Sequence, residues 1–115
     1  MLYRGSCHCG KVAFEVEGEI TGAVACNCSI CSRKGALLWA APRSSLRLLG
    51  SEEGLRSYTF NSHAIVHRFC ENCGIHPYAE QESDQDGPTA YVNIRCIEGL
   101  DLSAVPVVEF DGRSV

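Results

Sequence analysis

The cysteines constrain this chain more than any other feature: there are eight in 115 residues, and they come in tight groups. They fall at C-H-C-G (Cys7, Cys9), C-N-C-S-I-C (Cys26, Cys28, Cys31), C-E-N-C-G (Cys70, Cys73) and a lone Cys96. The middle group is too crowded to supply its own disulfide partners. Short turns instead aim neighbouring sulfurs at one point, which suits a shared ion. No apolar run approaches the ~20 residues a membrane span needs, and MLYRGSCHCG lacks the basic-then-apolar pattern of a secretory signal. The chain therefore reads as cytoplasmic, with no membrane partner. In that compartment thiols stay reduced, so the cysteines argue for metal ligation ahead of a disulfide framework.

A C-x-x-C-G turn is a zinc knuckle, because the glycine accepts the backbone angles that carry amide N–H groups toward sulfur. C-x-C-G can make a similar turn. Cys7 and Cys9 together with Cys70 and Cys73 would complete a four-thiolate structural zinc site, stapling the N-terminal strand to the middle of the chain. Spacing alone leaves other pairings possible. Cys26, Cys28 and Cys31 then form a trio one ligand short of closure. Cys96 could complete it, as could His8, His63, His67 or His76. Alternation in AYVNIRC sets Cys96 on the face of Val92 and Ile94, toward the core. If none of these binds, the fourth position is open to solution, the mark of a catalytic or ligand-exchanging zinc. The competing reading is a second structural zinc with a ligand the sequence does not reveal.

The rest of the chain points to one mainly β domain over residues 1–115. Val12, Phe14 and Val16 alternate with Lys11, Glu15 and Glu17, marking a half-buried strand. Further strands are expected at 23–26, 36–41 (stopped by Pro42), 46–49, 56–60, 64–69, 90–96 and 107–110. Turn signals stand at 50–54, 61–62, 84–88 and 111–112, within or beside a polar stretch over 82–88 in one case. Short helical turns at 29–34 and 102–105 are the only helix expected. The sheet should be mainly antiparallel. A net charge of −4, made more negative by seven thiolates against two dications, argues against a nucleic-acid partner.

The motifs GSCHCGKVAFEV, CNCSICSRKG, YTFNSH, RFCENCGIHPY and EFDG span nearly the whole chain. In this order they resemble the glutathione-dependent formaldehyde-activating enzymes, within the branch that includes centromere protein V. The resemblance implies a small β-tent-type fold with two zinc ions, a structural one on Cys7, Cys9, Cys70 and Cys73 and a catalytic one on Cys26, Cys28 and Cys31. It also implies an activity: glutathione joined to formaldehyde as S-hydroxymethylglutathione, formally a carbon–sulfur lyase read backwards. The partners would be a small thiol and a small aldehyde. Because glutathione is anionic, Arg33, Lys34 and Arg95 are the expected substrate-binding cations, with Arg68 a further candidate; taken singly, each reads first as an ordinary solvated charge. The alternative to an enzyme is a zinc-stabilised protein-binding module.

Overall fold

The computed structural model describes residues 1–50, 52–82 and 87–114. Its strands, in chain order, are β1 (Leu2–Ser6), β2 (Ala13–Glu17), β3 (Ala23–Cys26), β4 (Leu38–Pro42), β5 (Leu46–Leu49), β6 (Leu55–Tyr58), β7 (Ile65–Cys70), β8 (Tyr78–Gln81), β9 (Thr89–Asn93) and β10 (Val107–Phe110). One short helix, α1 (Cys31–Lys34), lies between β3 and β4. The strands form two sheets, a three-stranded one in the order β1-β2-β5 and a seven-stranded one in the order β10-β3-β4-β9-β8-β7-β6. Every pairing is antiparallel except that of β10 with β3, which is parallel.

Strand alternation gives the large sheet two different faces. Trp39 and Ala41 of β4, Ala90 and Val92 of β9, and Tyr78 of β8 point one way and pack with Phe14 and Val16 of the small sheet. Phe14, Val16, Tyr78 and Val92 have no solvent exposure, and Phe14, Val16 and Val92 each contribute about 1.5–3 kcal/mol of burial. The intervening residues, among them Leu38, Ala40, Ala79 and Tyr91, point the other way and line a cleft. Tyr3 of β1 meets Trp39 edge-on at 5.9 Å, tying the two sheets together near the chain start.

Several expectations need correction. Glu15, assigned by alternation to the solvent face, is buried, because Arg4 and Arg47 on the flanking strands close over its carboxylate. Alternation assigns a side, and the neighbouring strands decide whether that side is wet. The strand expected over 90–96 ends at Asn93, whose side chain accepts from Arg95 N and caps a 3-10 turn over Ile94–Cys96. Pro42 ends β4 from within, and Thr89 lies opposite it. The sequence does not mark β1 and β8: LYRGS and YAEQ lack a clear period, and both become strands by pairing with neighbouring strands, β1 with β2 and β8 with β7 and β9. Residues 83–86 of the polar 82–88 stretch, and residue 51 of the 50–54 turn, lie outside the described residues. Among the described residues, no helix is long and apolar enough to cross a membrane.

Candidate metal centres and the cleft above one of them

The turn between β1 and β2 carries Cys7 and Cys9, and the turn leaving β7 carries Cys70 and Cys73, so the two knuckles meet where the small sheet packs on the large one. Each turn closes on a glycine in the left-handed region, Gly10 at φ 82° and Gly74 at φ 79°. Gly10 N donates to Cys7 O, Gly74 N to Cys70 O, and Val12 N to Cys7 Sγ at 3.3 Å. An ion about 2.3 Å from four tetrahedral sulfurs sets them about 3.8 Å apart. The Cys7–Cys9 and Cys9–Cys70 sulfur separations are 3.6 and 3.7 Å, so the four thiols fit zinc. Burial first, then hydrogen bonding to the neighbouring thiols, pushes Cys7 up to about 11, against an opposing contact from Val12 N–H. Backbone N–H groups near Ile75 and Cys9 hold Cys73 down to about 6. Thiols split in this way need a shared cation to ionise together.

Cys26 ends β3, Cys28 lies in the following loop and Cys31 opens α1; their sulfurs all lie within 4.8 Å of one another. Cys28 N donates to Cys26 Sγ at 3.4 Å, and Ser32 N to Cys28 O at 2.9 Å, which folds the loop around the sulfurs. Gly35, at φ 67°, caps α1 through Cys31 O. Burial pushes the Cys31 thiol up to about 12, reinforced by the Cys28 and Cys26 sulfurs. At Cys28 burial opposes ionisation, but N–H groups of Cys31 and Ile30 and the two neighbouring thiols outweigh it and lower the value. This donor set also suits zinc, with three ligands. Cys96 belongs to neither sulfur group. It is raised to about 11 by burial and then by the charges of Cys7 and Cys73, which puts it on the four-thiol side of the sheet. The alternation that set it beside Val92 and Ile94 does not apply in a 3-10 turn, although Cys96 still packs on the core.

The trio opens onto a cleft of about 520 Å³ bounded by the outer face of the large sheet, by β10 and by Phe60. The C-terminal turn reaches over it. Asn27 Nδ2 donates to Asp111 Oδ1 at 2.9 Å, Arg113 N to Asn27 Oδ1 at 2.9 Å, and Asn27 N to Phe110 O at 3.2 Å. Of the expected cations, only Lys34 lines this cleft. Its Nζ donates to His67 Nδ1 at 3.1 Å, and burial lowers its pKa against the pull of Cys31 and Cys28. Arg33 donates to Ser29 O at 2.6 Å and lines a shallower depression with Tyr58. Arg95 Nε donates to Gly35 O at 3.2 Å, behind α1. Arg68 does share its face with Cys70, but that face is turned away from the cleft, and its guanidinium pairs with Glu80 at 3.5 Å.

Three comparisons bear on this arrangement. The model of the glutathione-dependent formaldehyde-activating enzyme family matches residues 2–110. The chain belongs to that family. A putative glutathione-dependent formaldehyde-activating enzyme of Colletotrichum graminicola is 30% identical over 82 residues, which cover 66% of this chain and 42% of that protein. The chain thus spans less than half the length of the curated relative it matches. A crystal structure of a Rhodobacter sphaeroides protein is 34% identical with a TM-score of 0.77, covering 91% of this chain and 99% of the other.

Within this family member, the folded chain brings together the seven cysteines in the four-plus-three grouping read from spacing. What spacing missed is the wall of the trio's cleft. His67 and His76, which the sequence offers as possible fourth ligands, are buried there at 7% and 8% exposure but do not join the three-sulfur group. Burial, then the Lys34 charge, pushes both down to about 4. His76 Nδ1 is fixed by a 2.7 Å hydrogen bond to Arg68 O. His63, at φ 59°, lies in an exposed turn, and His8 is exposed.

Proposed function

We propose that this chain is an enzyme that joins a small thiol to a small aldehyde, and in reverse acts as a carbon–sulfur lyase. Glutathione and formaldehyde are the pair in the family's description. The observation that carries the reading is the trio itself: three converging thiols, not four, at the floor of a roomy cleft. One zinc ion on Cys7, Cys9, Cys70 and Cys73 would be structural, and a second on Cys26, Cys28 and Cys31 would take part in the reaction. A zinc ion held by three thiolates supplies a fourth position suited to sulfur, at which a thiol ionises readily.

The chain's own residues then have three tasks. The Asn27 bonds to the 110–113 segment hold the cysteine loop in shape. The apolar walls exclude water from the aldehyde carbon, so that orientation supplies much of the gain. Lys34 Nζ, half-buried beside the trio, would give a proton to the aldehyde oxygen and be recharged by the proton of the incoming thiol. A carbon–sulfur bond forms, the carbonyl π bond opens onto oxygen, and the proton ends there. Work on a thiol through cysteine ligands suits a reducing compartment, which supports a cytoplasmic location.

Exchange NMR on ¹³C-formaldehyde tests the reading with glutathione, 2-mercaptoethanol and phenylmethanethiol in turn. The zinc-loaded protein should accelerate adduct exchange with at least one thiol beyond zinc and buffer alone, and Cys28→Ser should abolish the effect. No acceleration with any of the three would leave a binding module. One observation favours that second reading: β10 exposes Val107, Val108 and Phe110 at the edge of the large sheet.

A further inference from the structure

Resting on the reading above, we propose that the thiol this cleft selects is uncharged and carries an apolar body, in preference to the charged tripeptide of the family's name. The reason lies in what the folded sheet presents above the three sulfurs. Val24, Leu38, Ala40 and Ala79 make an aliphatic wall, and Phe60 and Phe110 flank it. A ligand whose sulfur reaches Cys26, Cys28 and Cys31 must lay the rest of itself on these side chains. Formaldehyde is far too small to cover them, so the cover comes from the thiol.

Charge points the same way. Among the described residues lining the cleft, Lys34 is the one Lys or Arg, its Nζ is engaged with His67, and the one acid, Glu109, stands at the exposed β10 rim. Three thiolates around a dication leave that centre negative. Glutathione would bring two carboxylates and one ammonium, net negative, to a site with one cation, one acid and an anionic three-sulfur centre, and a carboxylate stripped of water without a partner is costly. The arginines stand outside the cleft lining. Arg33 is held on Ser29 O in the neighbouring depression, Arg95 on Gly35 O, and Arg43 and Arg68 both pair with Glu80 on the far side of the sheet. An uncharged thiol meets none of these penalties and gains from every apolar contact.

The test is binding to protein with cobalt in place of zinc, read by the sulfur-to-cobalt absorption and by calorimetry. Phenylmethanethiol should bind about tenfold or more tightly than glutathione, with 2-mercaptoethanol, uncharged but without an apolar body, in between. Glu109→Gln should raise glutathione affinity roughly two- to fivefold at low salt and leave phenylmethanethiol nearly unchanged. Glutathione binding as tightly as phenylmethanethiol, and weakened in Arg33→Gln, would overturn the proposal while leaving the thiol-addition reading intact. Equal affinity for 2-mercaptoethanol and phenylmethanethiol would also overturn it, since the walls would then go unread. If no thiol changed the cobalt spectrum, both this proposal and the reading it rests on would fall.

Discussion

Gly112→Ala should damage the three-cysteine centre without touching the core. A Cβ at this position would lie 2.6 Å from Cys26 Sγ and 3.1 Å from the Cys28 Cβ. The backbone there is not left-handed, so alanine brings no conformational strain of its own and the substitution isolates the contact. Non-bonded carbon and sulfur prefer a separation near 3.5–4 Å, so something must move by about 1 Å. Either Cys26 leaves its place in the trio, or the 111–114 turn lifts and gives up the Asn27–Asp111 and Arg113–Asn27 hydrogen bonds. Overpacking costs about 1–3 kcal/mol, and two hydrogen bonds at about 0.5–1.5 kcal/mol each come to the same order. Both routes distort the trio, so its metal affinity should fall about 5- to 150-fold, the equivalent of about 1–3 kcal/mol. The four-thiol site, held by other turns, should keep its affinity. Competition with a chromophoric chelator would resolve the two metals as separate release steps, and cobalt absorption would report the trio's geometry. If Gly112→Ala matched the wild-type chain in both measurements, the close approach of Gly112 would have no hold on Cys26.

Cys73→Ser should destabilise the metal-loaded chain by several kcal/mol, on the order expected for a lost structural ligand, while Cys28→Ser should stay within about 1 kcal/mol; equal damage in thermal melts would make the trio structural too. Arg4 first, then Arg47, holds the Glu15 carboxyl below its ordinary 4.5. Its stabilising effect is therefore complete above that value and lost as pH falls through the lower folded one. Glu15→Gln should be less stable at pH 7 and show a shallower further loss between pH 5 and 3, and parallel denaturant curves would refute this. His67 and His76, pushed down to about 4 by burial and by Lys34, should stay neutral from pH 7 to 5 in ¹⁵N spectra. Unfolded histidine takes a proton below its ordinary 6.5, so each of these rings subtracts stability as pH falls from 6.5 toward 4. A midpoint above 6 for either ring would contradict its burial.

Much of the metal chemistry was legible because it is local. C-H-C-G, C-N-C-S-I-C and C-E-N-C-G are turns of a few residues, and such turns have few ways to place their sulfurs, so spacing favours the four-plus-three grouping the fold brings together while leaving other pairings open. The strand with a clear period, Ala13–Glu17, and short apolar runs between turn signals, such as Leu46–Leu49 and Val107–Phe110, were legible because those signals are local too. The cation assignments fared worse. Arg33, Lys34 and Arg95 are all near the trio in sequence or expected register, yet only Lys34 lines its cleft, because α1 is a single turn long and sends adjacent side chains in different directions.

The sequence by itself therefore determined which sulfurs could share an ion and which segments would extend. Only the tertiary structure decided what faces the open side of the trio. That wall is assembled from β3, β4, β7, β8, β9 and β10, strands far apart in the chain, and each contributes only every second side chain. Whether His67 is a wet surface ring or a buried neighbour of Lys34, or Glu15 a solvated acid or a covered one, depends on partners that arrive when the sheets close. Local spacing carries no record of those partners, since side-chain burial and charge pairing are set by long-range packing.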